Sequence, residues 1–368
     1  MKRILLITPF VPSNIGAGVK YTMSFIEDIS KSHKVDIVLF KNDTEGEYVP
    51  RNVNIRVLKE FNISIARKLL NVLSCFWIFP LFTAKFNYRV LRYLIKLVNE
   101  NHYDYLYFDF SQTFLYSRFI NHHAKILMSH DVITQRYSRI SNKLISSFCK
   151  MSERLVLKSN NTTVFTFSEK DSNLLLELFG VRSYPTDFYI SEDSVSAIPN
   201  EIGNYLVLFA MWKRDDNHKG LAWFIDDVLP LLSKDIDVYI IGGGLPNYIK
   251  DKITSLNNIQ YLGYVDNPYP FIANSKALLS PLFSGAGVKV KVIEALACGT
   301  PIIGTDISFE GISDSYCKFM ISAEDANSFA SSIQNLNISL ESRIAFKSMF
   351  LNKYNNRSIV KFINNEYI

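Results

Sequence analysis

Short apolar runs alternate with amphipathic stretches along almost the whole chain. Lys2 to Thr8, Val35 to Phe40, Ile55 to Leu58, Tyr103 to Phe108, Ile126 to Ser129 and Thr163 to Phe167 are rich in Ile, Leu, Val and Phe and read as strands. Val19 to Ser32 and the region 64–99 have the spacing of helices. The alternation resumes with strands at Tyr205 to Phe209, Val238 to Ile241, Ile259 to Tyr261, Ala277 to Ser280 and Ile302 to Gly304. Helical patterns cover Gly220 to Leu232 and Tyr248 to Ser255. Strands that are apolar on both faces and alternate with helices predict parallel sheets covered on both sides. From about 183 to 203 the periodicity lapses. The pattern therefore predicts an α/β protein of two doubly wound, Rossmann-like domains facing a central cleft, at 1–185 and 204–345, with 186–203 as the linker. Helical spacing returns near 340, and 352–368 is expected to pack back on the first domain.

Composition narrows the partners. The chain has 368 residues, 48% hydrophobic and only 20% charged, which excludes a disordered protein. A net charge of +5 without an Arg-rich run or zinc-finger spacing argues against nucleic acid. It suits phosphates or an anionic membrane face. Cys75, Cys149, Cys298 and Cys317 are scattered without a CxxC, as expected of free thiols in a reducing cytosol. The apolar run after Met1 is too short for a signal peptide, and Pro9 reads as the turn after a first strand. No span of about 20 apolar residues predicts a membrane crossing. The nearest, Leu69 to Phe82, is broken by Asn71, Ser74 and Pro80 and flanked by Arg67, Lys68, Lys85, Arg89, Arg92 and Lys96. Such a region either packs on its domain or lies partly in a membrane interface. The expectation is a cytoplasmic protein whose helices pack on the domain, with one exposed corner touching the inner face of the cytoplasmic membrane.

Ligands of open α/β sheets sit at strand C-terminal ends, so the loops there carry the candidate chemistry. After Ala277 to Ser280 come Gly285, Ala286 and Gly287, then Val288, Lys289, Lys291 and Glu294. The glycines allow a sharp turn and close backbone approach. A helix starting near Val288 would offer unpaired amides and two lysines to phosphate oxygens. Glu294, on the Lys291 face, could accept hydrogen bonds from sugar hydroxyls. The same pattern also occurs as a plain turn and a solvated Lys–Glu pair in any doubly wound fold. Arg214 and Lys219 follow the strand Tyr205 to Phe209 and could grip a diphosphate; a solvated charged loop is the other reading. Gly243 and Val265 follow the next two strands, where backbone could approach a nucleotide. Gly16 and Gly18 follow the first strand. His130, Asp131 and Arg136 follow the strand Ile126 to Ser129; His130 could bond a sugar hydroxyl or position an acceptor, with Asp131 orienting it. Asp235 and Asp237 precede a strand instead of following one, so no metal site is expected.

Taken together these residues resemble the family 4 retaining glycosyltransferases of the GT-B fold. The resemblance covers nearly the whole chain and is strongest from Tyr205 to Ile312. Gly285, Gly287, Lys289, Lys291, Glu294 and Ala295 match a G-x-G-x-K-x-K-x-x-E-A pattern, and Asn217, Gly220, Leu221, Trp223 and Phe224 match an Asn-x-x-Gly-Leu-x-Trp-Phe segment. Phe309 to Ile312 resembles the family's short motif after the Pro301 strand. The resemblance implies transfer of a sugar, with retention and without a metal or other cofactor, from a nucleotide-diphosphate sugar to a hydroxyl of a glycan or lipid-linked acceptor. Hexosyl transfer in bacterial surface-polysaccharide synthesis is the expected setting. It implies that Glu294 holds the ribose and that Arg214, Lys219, Lys291 and the amides of Ala286 to Val288 neutralise the diphosphate. Gly16 to Gly18 would close over the donor phosphate, and His130 would meet the donor sugar near the reacting carbon. One departure stands out. Many members carry a glutamate eight residues before the equivalent of Glu294, and here that position is Ala286. A non-catalytic nucleotide-sugar-binding subunit and a sugar-nucleotide epimerase are the alternative readings.

Overall fold

The computed structural model describes residues 1–13, 16–42 and 46–366, and the chain divides into two compact units. Met1–Tyr189 and Arg357–Ile368 make the first unit, Ile190–Asn356 the second. Residues 367 and 368, the end of the expected C-terminal segment, lie outside the described residues.

The first unit is a seven-stranded, all-parallel sheet. Its strands are β1 (Arg3–Thr8), β2 (Lys34–Lys41), β3 (Ile55–Asn62), β4 (Tyr105–Asp109), β5 (Lys125–Met128), β6 (Thr162–Thr166) and β7 (Ser183–Pro185). They lie in the order β3-β2-β1-β4-β5-β6-β7. Helices cover both faces, which is why β1 carries an unbroken apolar run from Ile4 to Ile7 with no solvent-exposed side. Phe25 of the helix Ala17–Ile29 stacks on Tyr107 at 4.6 Å, while Phe108 and Phe114 pack on the opposite core. The strand β7 lies inside the stretch whose periodicity lapses: a three-residue edge strand ending in proline leaves no alternation to read. The helix Ser358–Asn364 returns to this unit, where Phe362 meets Tyr105 and Phe165. The residues just before it, through Asn356, belong to the second unit.

The second unit is a six-stranded parallel sheet of β8 (Tyr205–Phe209), β9 (Asp237–Ile241), β10 (Ile259–Gly263), β11 (Ala277–Ser280), β12 (Ile302–Gly304) and β13 (Met320–Ser322). Their order is β10-β9-β8-β11-β12-β13. Leu208, Leu221, Phe224, Ile240, Leu279 and Phe329 sit at the centre of its core. The first helix starts at Asp215, five residues before the expected Gly220. Asp215 and Asp216 in its first turn complement the helix dipole, and the chain runs on through a π turn at Phe224–Val228.

Both sheets reverse their winding at one place, between β1 and β4 in the first and between β8 and β11 in the second. In such sheets the crevice at that reversal, at the strand C-terminal ends, is where ligands bind. Thr8 and Asp109 close β1 and β4; Phe209 and Ser280 close β8 and β11.

One helix of the first unit does not bury its apolar side. Ile65–Ser74 has no buried residue; Leu73 is 69% exposed, and Trp77 just beyond it 55%. The next long helix, Tyr88–Glu100, buries Val90, Leu91 and Leu94 in the core. Among the described residues, no helix is long and apolar enough to cross a membrane. All four cysteines are unpaired.

Candidate functional site

In the second unit the loops after β8 and β11 form one charged surface. The chain leaves β8 through Ala210 and Trp212, whose indole Nε1–H donates to the Ile241 carbonyl at 3.0 Å. Arg214 caps the helix Asp215–Trp223. That helix reaches β11 backbone to backbone, because a β-carbon on Gly220 would stand 1.7 Å from the Pro281 carbonyl oxygen. Leu221 and Phe224 anchor its inner face in the core, and Trp223 packs edge-on against Phe283 at 4.9 Å. The hydroxyl of Ser284 donates to Asp216 at 2.5 Å, tying the two loops together. The segment Asn217 to Phe224 is thus a clamp that holds the glycine loop in place.

Gly285 and Gly287 take positive φ, 121° and 68°, a conformation open to glycine and costly for other residues. The loop consequently continues past Val288, and the helix runs Val290–Ala297 with Lys289 as its N-cap. This corrects the expected start near Val288: the amides of Ala286 to Val288 belong to the loop, and those of Val290 and Lys291 to the first turn. Lys289 reaches back to the Gly287 carbonyl at 2.5 Å and pairs with Glu310 at 3.9 Å.

Lys291 is the anomaly of this surface. Among the described residues its ammonium has one polar contact, Asn217 Oδ1 at 3.5 Å. Among the described residues no carboxylate lies within salt-bridge distance of it. Loss of water, then repulsion from Lys289 and Arg214, push its ammonium down to about 7. The fold therefore gathers three cations and leaves one of them without counter-charge. Arg214 sits 3.6 Å from Asp216 and is mostly exposed. Lys219 is placed differently: it is exposed and pairs with Asp215 at 3.2 Å along the same helix.

Glu294 is buried and accepts a hydrogen bond from the Tyr269 hydroxyl at 2.7 Å. Burial pushes that phenol well above its usual value, so Tyr269 remains a donor. Gly243 accepts from the Trp212 amide at 3.0 Å, and among the described residues beyond its chain neighbours nothing would stand within 4 Å of a β-carbon on it. Val265 is half-buried just past β10. Tyr269 was missed by sequence reasoning: an aromatic in a short helix carries no signal until the fold brings it to Glu294.

The first unit has its own cluster. His130 is 6% exposed, and its Nε2 lies 2.8 Å from Oδ1 of Asp109, itself fully buried. Oδ2 of Asp109 accepts from Thr8 at 2.9 Å and Thr22 at 2.7 Å. The carboxylate that meets the ring is that of Asp109 and not the expected Asp131, because β4 and β5 are neighbours. Phe110 stacks on the imidazole at 3.5 Å from a strained backbone, φ 59°. Gly18 lies against both rings: a β-carbon there would be 2.7 Å from Phe110 Cζ. Gly16, with φ 95°, caps the helix Ala17–Ile29. Asp131 and Arg136 are half-buried, Arg136 on the helix Ile133–Ile140. Glu153 fixes the start of that helix, accepting from the amides of Ile133 at 2.9 Å and Thr134 at 2.7 Å. Among the described residues no three His, Cys, Asp or Glu side chains come together as a metal site.

Residues 204–337, just over a third of the chain, match the family described as glycosyl transferases group 1. An uncharacterized 44.6 kDa protein in the cps region of Klebsiella pneumoniae is 27% identical over 146 residues, 36% of this chain and 37% of the relative. A phosphatidyl-myo-inositol mannosyltransferase of Mycobacterium leprae is 26% identical over 127 residues, 32% of this chain and 34% of the relative. Each match thus spans about a third of the curated relative. Solved structures align over nearly the full length. HepE of Anabaena in complex with UDP gives a TM-score of 0.66 at 14% identity, with 99% of each chain covered. WaaG, a glycosyltransferase involved in lipopolysaccharide biosynthesis, gives 0.68 at 12% identity, with 98% of each covered. The fold is GT-B, with two Rossmann-like domains built on parallel sheets.

Proposed function

We propose that this protein is a retaining glycosyltransferase that moves a hexosyl group from a nucleotide-diphosphate sugar to a hydroxyl of a glycan or lipid-linked acceptor. The observation that carries the reading is Lys291, a half-buried cation pushed down by loss of water and by Lys289 and Arg214, with no carboxylate among the described residues within salt-bridge distance. Such a group costs stability in the empty protein and is repaid by an anion. A diphosphate fits: its charge grows as the sugar leaves, and prearranged cations stabilise that growth most. Lys291, Arg214 and Lys289 supply the charge, with Lys219 on the outer flank and the turn Gly285, Ala286, Gly287 and Val288 giving room for phosphate oxygens. Glu294, held by Tyr269, accepts from the ribose hydroxyls. Gly243 and Val265 line the nucleotide side.

The transition state has oxocarbenium character. The acceptor attacks the face from which the diphosphate leaves, and a phosphate oxygen takes its proton, so the reading requires no metal and no protein base. We assign the acceptor to the first unit, with Asp131 and Arg136 on its side, Gly16 and Gly18 serving the donor phosphate and His130 meeting the sugar near the reacting carbon. The exposed leucines of Ile65–Ser74, with Arg67 and Lys68 among them, suit peripheral contact with an anionic membrane at its cytoplasmic face. The match to a cps-region protein supports a place in bacterial surface-polysaccharide synthesis, and the match to a mannosyltransferase supports a hexosyl donor.

The test is a thermal-shift screen of UDP-, GDP- and ADP-sugars, because a ligand that binds only the native state raises apparent stability. One nucleotide class should raise the melting temperature, and Lys291→Ala should abolish the shift. No shift from any member at millimolar concentration would overturn the reading.

A further inference from the structure

We infer that Asp109 is a positioning residue that holds His130 in its Nε2–H tautomer, so that the bare Nδ1 beside Gly18 accepts a hydrogen bond from a substrate hydroxyl. The inference rests on the proposal that His130 meets the sugar.

The geometry comes from the winding reversal of the first sheet. Thr8, Asp109 and His130 stand at the C-terminal ends of β1, β4 and β5, which are successive neighbours. Both carboxylate oxygens of Asp109 are occupied: Oδ1 meets His130 Nε2 at 2.8 Å, and Oδ2 meets the hydroxyls of Thr8 and Thr22 at 2.9 and 2.7 Å. An ionised carboxylate only accepts, so the proton of the neutral imidazole sits on Nε2. The other nitrogen is then a lone-pair acceptor. Phe110 stacks on the ring at 3.5 Å, and Phe167 at 5.0 Å and Tyr21 at 5.7 Å meet it edge-on, so aromatic rings pack the imidazole with Nε2 toward Asp109. Gly18 leaves Nδ1 uncovered; any side chain there would begin 3.2 Å from that atom. An acceptor nitrogen selects a hydroxyl ligand and repels a carboxylate. Thr22 also lies one helical turn after Gly18 and is 3.1 Å from its carbonyl, so a single hydroxyl ties the turn to the carboxylate.

A purely structural cluster would make the same contacts, so the test reads the tautomer directly. Full-length protein with 15N-labelled histidine is measured at pH 8 by long-range 1H–15N correlation, and the His130 signals are assigned by their loss in His130→Gln. The wild type should show a protonated Nε2 and an unprotonated Nδ1. In Asp109→Asn the amide oxygen takes the two threonine hydroxyls and its NH2 donates to Nε2, moving the ring proton to Nδ1. Turnover is read as hydrolysis of the nucleotide sugar that raises the melting temperature. Its kcat should fall by at least about tenfold with KM nearly unchanged, since an orienting carboxylate acts through the tautomer. A wild-type spectrum with Nδ1 protonated overturns the inference and leaves the role of His130 standing, whether or not Asp109→Asn folds. An Asp109→Asn kcat within about twofold of wild type also overturns it. Undiminished turnover by His130→Gln overturns the inference and its premise together.

Discussion

Gly220 and Pro281 touch through their backbones: a β-carbon on the glycine would fall 1.7 Å from the proline carbonyl oxygen. The helix Asp215–Trp223, which carries Asn217, is thereby held against the strand whose next residues are the glycine loop. Gly220→Ala must push the two apart. Overpacking of this kind costs about 1–3 kcal/mol. The expected outcome is a melting temperature several degrees lower and a weaker thermal shift from the bound nucleotide sugar, since Asn217 would leave Lys291. An unchanged shift would mean that the loop does not depend on the clamp.

Most of the fold was legible because its strands are buried on both faces. Tyr205–Phe209, Ala277–Ser280 and Ile302–Gly304 coincide with their apolar runs to the residue. The strands β7 and β13 were not legible: each is a three-residue edge strand, partly exposed and mixed in polarity, whereas the equally short β12 is apolar and buried throughout. The glycine loop and its lysines could be read from spacing, but not the helix start, which depends on Gly287 keeping a left-handed backbone through the loop. The partners of the site residues were the hardest. Asp109 lies 21 residues before His130 and Tyr269 lies 25 before Glu294, so only strand order and helix packing reveal the pairs.

Removing the Lys291 charge should separate stability from function. Its burial beside Lys289 and Arg214 disfavours the empty fold, and methionine keeps most of its volume. Lys291→Met is expected to leave the melting temperature of the ligand-free protein unchanged or raised at pH 7. Turnover should fall by about 10²–10³, the loss of about 2.7–4 kcal/mol of transition-state stabilisation. Paired calorimetry and rate measurement on one preparation check both halves. A large drop in stability would identify Lys291 as a structural cation instead.

If Lys291 meets the diphosphate as proposed, nucleotide binding should be a proton-linked event. Its ammonium titrates near 7 in the empty protein against an ordinary 10.5. Between those values the unfolded chain binds more protons than the folded one, so this group makes stability rise with pH across that window; below about 7 the full cost of burying the charge is present. A bound diphosphate restores the counter-charge and raises the value again. Binding should therefore take up as much as about one proton near pH 8–9, and affinity should weaken as pH climbs above 7. Titration calorimetry in buffers of different ionisation enthalpy measures the uptake. An observed binding enthalpy independent of the buffer would contradict it.

The exposed helix Ile65–Ser74 makes a prediction that does not depend on the nucleotide. Leu69, Leu70 and Leu73 face water, with Phe76 and Trp77 beyond the helix end, and Arg67 and Lys68 lie on the same segment. A surface that combines apolar anchors with cations favours an anionic interface, where the leucines leave water and the cations meet headgroups. Full-length protein should sediment with vesicles containing phosphatidylglycerol and much less with phosphatidylcholine alone, and the binding should weaken with added salt. Replacing Leu69 and Leu73 together by Ser should cut partitioning by at least about tenfold, because each leucine contributes about 1.5–3 kcal/mol when buried. The nucleotide-induced thermal shift should be unchanged in that double variant, since its residues contribute nothing to the Lys291 surface. Equal partitioning of wild type and variant would show that this helix faces something other than lipid.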